Sequence, residues 1–121
     1  MSLDSQLNDW VDRIAGSEIP SADIIAFNFG LFQTENGFTV YLIGAKNYEE
    51  DDDDWATEVD FEPSDKYLEI DPNETRGLEW QEVQAKVKSS LAKVLSANSA
   101  YFKHAKHITI GFDDGELDVI R

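Results

Sequence analysis

Residues 23–46 read DIIAFNFGLFQTENGFTVYLIGAK, which is two apolar runs on either side of an Asn-Gly pair. Asn36-Gly37 is the loop that type I′ hairpins favour, because both of their central residues need a positive φ. With this loop, Leu31 lies opposite Leu42. Both faces of the hairpin are largely apolar. We therefore expect it in the middle of a sheet, covered on both sides, or by helices on one side and by a partner on the other.

The remaining elements follow from the spacing of apolar residues. A period of 3.6 predicts helices over residues 3–15 and 78–97, and the second follows a capped helical turn at 71–74. Alternation of apolar and polar residues predicts a half-buried strand over residues 55–62 and a short strand over 67–70. Strands therefore occur on both sides of the acidic segment and before the long helix.

A second hairpin is predicted at the end of the sequence. Asp114-Gly115 is again a type I′ signal, and with this loop Ile110 lies opposite Val119. The strands cluster and do not alternate with helices, which is typical of the α+β class. We expect one domain, residues 1–121. It contains a mainly antiparallel sheet of about five strands, with an N-terminal helix and one long helix packed on it.

The charge balance excludes several classes of partner. Twenty-five acidic and ten basic residues among 121 give a formal net charge of −15. Nucleic acids and anionic membranes both need a basic face, so we expect neither as a partner. The absence of cysteine excludes disulfides and thiolate metal sites, and it favours a location in the reducing cytoplasm. No apolar run approaches the 18 residues of a membrane span.

Motifs for catalysis are weak. His104 and His107 have a spacing that could hold a metal on a helix, but neighbouring lysines oppose this, and we interpret them as surface histidines. A calcium loop beginning at Asp51 fails because Ala56 stands where glycine is required. There is no nucleophile elbow and no phosphate loop. We expect no catalytic residue, metal or cofactor, although an enzyme that uses carboxylates with a divalent ion remains an alternative.

The segment from Glu49 to Glu62 has nine acidic residues in 14 positions and no basic residue. One interpretation is a solvated loop followed by an amphipathic strand whose aromatic residues lie in the core. The other is a docking surface for a basic partner, in which Trp55 either anchors the partner or belongs to the core. The candidate partner-binding residues are Asp51, Asp52, Asp53, Asp54, Trp55, Glu58, Asp60 and Glu62.

The segment from Ile24 to Ile70, IIAFNFGLFQTENGFTVYLIGAKNYEEDDDDWATEVDFEPSDKYLEI, is followed by one long helix. This arrangement resembles small acidic bacterial proteins of the immunity type, which accompany polymorphic or contact-dependent toxins. The resemblance implies a non-catalytic inhibitor that neutralises a cognate basic toxin, often a nuclease, by tight stoichiometric binding. The alternative is a structural or housekeeping interaction module that forms a homodimer through an exposed strand edge.

Overall fold

The computed structural model describes most of the chain. The described residues are 2–17, 19–35, 37–49, 55–56, 59–97, 101–102, 105–113, 115 and 117–120. Among them, no helix is both long enough and apolar enough to cross a membrane.

The elements in chain order are α1 (Leu3–Ser17), β1 (Ala26–Thr34), β2 (Gly37–Ala45), β3 (Tyr67–Glu69), α2 (Pro72–Thr75), α3 (Trp80–Ala97), β4 (His107–Phe112) and β5 (Asp118–Val119). The five strands form one sheet in the order β3-β2-β1-β4-β5. β1 and β4 pair in parallel, and the other pairs are antiparallel. The predicted α+β class is confirmed, with an N-terminal helix and a long helix packed on a mostly antiparallel sheet.

The two faces of the sheet have different surroundings. Phe27, Phe29 and Leu31 of β1 point to the face that α1 and α3 cover, which we call the helical face. The alternate residues of β1, among them Asn28 and Phe32, point to the opposite face, which we call the open face. The first hairpin is therefore central in the sheet, as its two apolar faces predict.

Helix α1 packs on the helical face through the stripe that the sequence predicts. All five of its predicted apolar positions, Leu3, Leu7, Trp10, Val11 and Ile14, are buried. The ring of Trp10 meets Phe29 edge to face at 6.1 Å, and its indole nitrogen donates a 2.7 Å hydrogen bond to the carbonyl of Asp65. These contacts bind α1 to β1 and to the segment before β3, so α1 belongs to the core of the domain.

Helix α3 follows the predicted capped turn. The Asp71 carboxylate accepts a hydrogen bond from the Asn73 amide, and Pro72 begins α2. Gly77 has a φ of +78°, which only glycine adopts at low cost, and it separates α2 from α3. α3 therefore begins at Trp80, two residues later than the apolar pattern suggested.

The register of the first hairpin differs from the prediction by two residues. Leu31 pairs with Val40 and not with Leu42, and Thr34 pairs with Gly37. Gly37, predicted as a loop residue, therefore begins β2, and the predicted Asn36 lies outside the described residues. Because side chains alternate with a period of two, this shift leaves every side chain on its predicted face.

The register of the second hairpin was predicted wrongly by one residue. Val119 pairs with Thr109 and not with Ile110, while Asp118 pairs with Ile110. The Gly115 amide bonds to the Phe112 carbonyl at 3.0 Å, so the turn begins before the predicted Asp114, which lies outside the described residues. A shift of one reverses the faces: Asp118 points to the helical side, where its carboxylate lies 3.7 Å from the ammonium of Lys88.

The predicted strand over residues 55–62 is wrong. In the described part of this segment, Trp55 and Ala56 form a short 3₁₀ turn, and Phe61 makes an isolated bridge to Gly44. Trp55 packs with Ala26 of the open face, whereas Phe61 packs on the helical face against Phe27. An alternating strand requires the two aromatic residues on one face, whereas here they pack on opposite faces of the sheet.

Candidate functional site

The candidate residues that the structure describes lie around the open face. Asp60 is exposed, and its carboxylate accepts a 2.8 Å hydrogen bond from the Lys46 amide. Glu62 is exposed and pairs with Lys66 at 2.5 Å. Trp55 is 3% exposed, which agrees with its interpretation as a core residue. Asp51, Asp52, Asp53, Asp54 and Glu58 lie outside the described residues.

Trp55 covers one end of the open face. It packs with Ala26 and Ala45, which have small side chains that leave room for the indole. The ring of Tyr48 lies 5.1 Å from that of Trp55, and it stacks on His107 with centroids 3.7 Å apart. The two residues that bracket the acidic run in the chain are thus held by aromatic packing on the sheet.

The other end of the open face carries three aromatic rings that no helix among the described residues covers. The rings of Phe32, Tyr41 and Tyr67, which we call the aromatic cluster, have centroids 6.0–6.2 Å apart. Phe32 and Tyr41 are half-buried, and Tyr67 is 54% exposed. Tyrosine combines a large apolar area with a polar hydroxyl, and it is enriched at protein interfaces for this reason.

Lys66 brings a positive charge to this cluster. Its ammonium lies 5.3 Å from the ring centroid of Tyr67 and 5.5 Å from that of Tyr41, which is within cation–π range. The same ammonium pairs with Glu62. The hydrogen bond from Lys66 to Glu62 raises the pKa of Lys66, so this cation keeps its charge at neutral pH.

The ring of Tyr41 lies across β1, between Asp113 and the space left by Gly30. Its hydroxyl donates a hydrogen bond to the Asp113 carboxylate. A Cβ at Gly30 would lie 2.0 Å from the Tyr41 ring, so the absence of a side chain there is what lets the ring cross β1. Burial, together with the bond to Asp113, raises the pKa of the Tyr41 phenol far above its ordinary value. Tyr41 therefore stays protonated and in place at any physiological pH.

A depression of about 450 Å³ lies on the open face beside the aromatic cluster; we call it the open-face pocket. Its floor includes Asn28 and Ile43, and the Asn28 side-chain oxygen accepts a 2.9 Å hydrogen bond from Thr109. One wall is the aromatic cluster with Lys66, and the other includes Val59, which is exposed. The pocket thus joins an apolar and aromatic lining to charged groups at its rim.

The described residues include several carboxylates and one histidine that bear on the metal chemistry considered from the sequence. No group of three or more His, Asp or Glu side chains that could hold a metal occurs among them. His107 is occupied in the stack with Tyr48, and His104 lies outside the described part. Hydrogen bonds from Ser90 and Lys93 lower the pKa of Asp4, the direction opposite to that of a general acid.

The aromatic cluster was not among the residues singled out from the sequence. Two signals pointed towards it: the apolar character of both hairpin faces, and the alternation that places Phe32 and Tyr41 on one side. The contribution of Tyr67 comes from pairing between β2 and β3, where it lies opposite Tyr41. That contact depends on strand order, which the sequence pattern does not specify.

Comparisons of the chain with protein-family models, with curated proteins and with solved structures find no match.

Proposed function

We propose that this chain is a non-catalytic protein-binding domain of the immunity type, which neutralises a basic toxin in the bacterial cytoplasm. The observation that carries the proposal is the aromatic cluster, with its 54% exposed Tyr67, on the face of the sheet that no described helix covers, next to the Glu62 carboxylate. A nuclease is one class of toxin that fits, because its substrate groove must be positive to bind nucleic acid.

The aromatic cluster supplies the short-range part of the binding. Tyrosine side chains account for a large share of the energetic hot spots in protein interfaces, especially where surrounding contacts exclude water. Tyr67 is presented on β3, a strand held by three residue pairs to β2, so its position is fixed before a partner arrives. A preorganised ring loses little conformational entropy on binding.

The acidic residues supply the long-range attraction to the partner. The net charge of −15 exceeds the magnitude of about 2–8 that solubility requires of a small domain. Asp60 and Glu62 are exposed beside the open-face pocket, and Asp51–Asp54 precede the buried Trp55 in the chain. Concentrated negative charge accelerates encounters with a cationic surface, and it opposes partners that are themselves acidic.

A homodimer joined through a strand edge is the alternative interpretation. The two outer strands of the sheet, β3 and β5, have three and two residues. Short edge strands offer few backbone groups for pairing with a second chain, and natural proteins use them to prevent such pairing. The aromatic cluster lies on a face and not at an edge, and it favours a face-on partner.

The proposal is tested with the partner itself. Tagged protein captures the partner from the source cell, mass spectrometry identifies it, and the partner is then expressed alone and together with this chain. We expect a basic protein that stops growth when expressed alone, and growth restored by co-expression. A captured partner that is harmless alone would contradict the inhibitor and favour the housekeeping module.

Matched variants then locate the interface. Tyr67→Ala and Trp80→Ala each remove a half-exposed aromatic side chain, the first from the open face and the second from the helical side. We expect Tyr67→Ala to increase the dissociation rate by about 30-fold, the size of an interface hot spot, and Trp80→Ala to leave it close to that of the wild type. Equal effects of the two variants would exclude the open face as the docking surface.

A further inference from the structure

The aromatic cluster already holds a cation. The Lys66 ammonium lies within 5.5 Å of two tyrosine rings and pairs with the Glu62 carboxylate, so rings and carboxylate surround one positive charge from different sides. Cations bind the faces of aromatic rings because the ring quadrupole is negative there. The arrangement is therefore a cation site whose occupant is supplied by the chain itself.

The space next to this site suits a longer side chain. The open-face pocket, about 450 Å³, extends from Tyr67 and Lys66 over the apolar floor at Ile43 towards Ala56. Asp113 lies at the rim, where one of its oxygens accepts the bond from Tyr41. An alkyl stem can thus lie on apolar surface while its charged end reaches a ring face and a carboxylate.

Arginine fits these features better than lysine. The guanidinium is planar, so it stacks on a tyrosine ring, and its fork of donors binds a carboxylate through two hydrogen bonds. An ammonium is compact and strongly hydrated, and it gains less from stacking. Lys66 lines the pocket, and its side chain is 20% exposed.

We infer that the open-face pocket is a receptor for an arginine side chain of the partner, whose guanidinium takes the place of Lys66 over Tyr67 and pairs with the carboxylates at the rim. This inference rests on the proposed function, since it names the chemical group by which the basic partner is recognised. The charge of the chain indicates a cationic occupant. The protein is strongly acidic, and its ring-lined site already binds the cation of Lys66.

The test uses blocked amino acids and no partner. Nα-acetyl-arginine N-methylamide is titrated into ¹⁵N-labelled protein and followed by NMR, with the corresponding citrulline and lysine compounds as controls. Citrulline has the shape of arginine without its charge. We expect arginine to shift the amide signals of Tyr67, Gly111 and Asp113 in a saturable manner, lysine to bind more weakly, and citrulline to leave them unchanged.

Three variants identify the site. Tyr67→Leu removes one exposed ring and should weaken arginine binding about two- to fivefold, the usual size of an exposed cation–π contact. Lys66→Met removes the internal competitor and should strengthen binding by a similar factor. Lys88→Met removes an ion-paired lysine on the helical side and should change nothing. An increase on removal of one specific lysine cannot come from a general loss of folding.

The outcomes separate this inference from the proposed function. Shifts spread over the acidic surface, equal binding of citrulline, or equal effects of Lys66→Met and Lys88→Met would overturn the arginine site. If the captured toxin were still neutralised, the proposed inhibitor function would hold without an arginine site. Conversely, saturable arginine binding at Tyr67 together with a harmless partner would retain the pocket and reject the inhibitor.

Discussion

The hydroxyl of Tyr41 on β2 donates a hydrogen bond to the carboxylate of Asp113, which follows β4, so the bond spans the central strand β1. The ring crosses β1 at Gly30, where any Cβ would collide with it. This contact connects strands that do not pair with each other, and it fixes one wall of the open-face pocket.

Tyr41→Phe should lower the free energy of unfolding by about 1 kcal/mol at pH 7, since the hydrogen bond from its hydroxyl to the Asp113 carboxylate is lost. Its effect should also depend on alkaline pH. The folded-state pKa of Tyr41 is raised above 10, so its contribution is complete below pH 10 and is lost as the pH rises further. Urea unfolding between pH 7 and 11 measures both effects. Tyr67→Phe, on an exposed tyrosine, is the control; parallel pH curves for wild type and Tyr41→Phe would contradict the prediction.

Leu31→Asp should unfold the domain. Leu31 is fully buried on the helical face of the central strand, and burial of an unpaired carboxylate costs several kcal/mol, roughly the total stability of a small domain. Circular dichroism and the thermal midpoint measure the loss. Ile19→Asp places the same charge at a residue that is 85% exposed and should leave both unchanged. A normal midpoint for Leu31→Asp would show that the hairpin is not in the core.

His107→Ala should destabilise the fold by about 1 kcal/mol through loss of its stack on Tyr48, the usual contribution of an aromatic pair. His107→Phe keeps a flat ring and should recover most of that loss.

We also expect calorimetric titration with Zn²⁺ to show no micromolar affinity in the wild type. Such an affinity, abolished by His104→Ala with His107→Ala, would establish a metal role for the histidines instead.

Replacing Asp51, Asp52, Asp53 and Asp54 with Asn should slow association with the captured partner and leave its dissociation largely unchanged. Long-range attraction acts on the encounter and is screened once the Debye length falls to about 8–10 Å. Surface-plasmon kinetics at two salt concentrations measures the effect. The control removes four exposed charges from α1 and from residues 79–82 around the start of α3, with Asp9→Asn, Asp12→Asn, Glu79→Gln and Glu82→Gln. An association rate insensitive to salt and to the Asn substitutions would leave the acidic run as a solvated loop.

Asp4→Asn should weaken the contact between α1 and α3 at neutral pH and have no effect in strong acid. Ser90 and Lys93 lower the folded-state pKa of Asp4 below 3.8. The contribution of the charge is therefore present above that pH and disappears as the pH falls through the folded-state value. Thermal unfolding of wild type and variant from pH 7 to pH 2 should show two curves that converge. Asp9→Asn on the exposed side of α1 should follow the wild type throughout.

The fold was predictable from sequence wherever one local pattern dominates. The stripe from Leu3 to Ile14 and the face assignment of the first hairpin depend on side-chain periods of 3.6 and 2, and the period of two tolerates the error of two residues in the hairpin register. The second hairpin failed because its loop is longer than the Asp114-Gly115 pair suggests, and an error of one residue reverses Asp118 and Val119.

The site was less predictable because it depends on contacts between distant segments. The spacing of Trp55 and Phe61 in the sequence is that of residues on one face of a strand, but the two side chains pack on opposite faces of the sheet. Tyr67 meets Tyr41 only because β3 pairs with β2. Tertiary packing, and not strand propensity, decided both placements.

The parallel pairing of β1 with β4 has a consequence for synthesis of the chain. Phe29 pairs with Ile110, 81 positions later, so one side of the central strand stays unpaired until at least 81 further residues have left the ribosome. Pairing over such a separation is slow, because the entropy of closing a long loop opposes it. During that interval one edge of β1 has no strand paired to it and exposes apolar residues. A chaperone that binds residues 26–31 should therefore raise the yield of native protein.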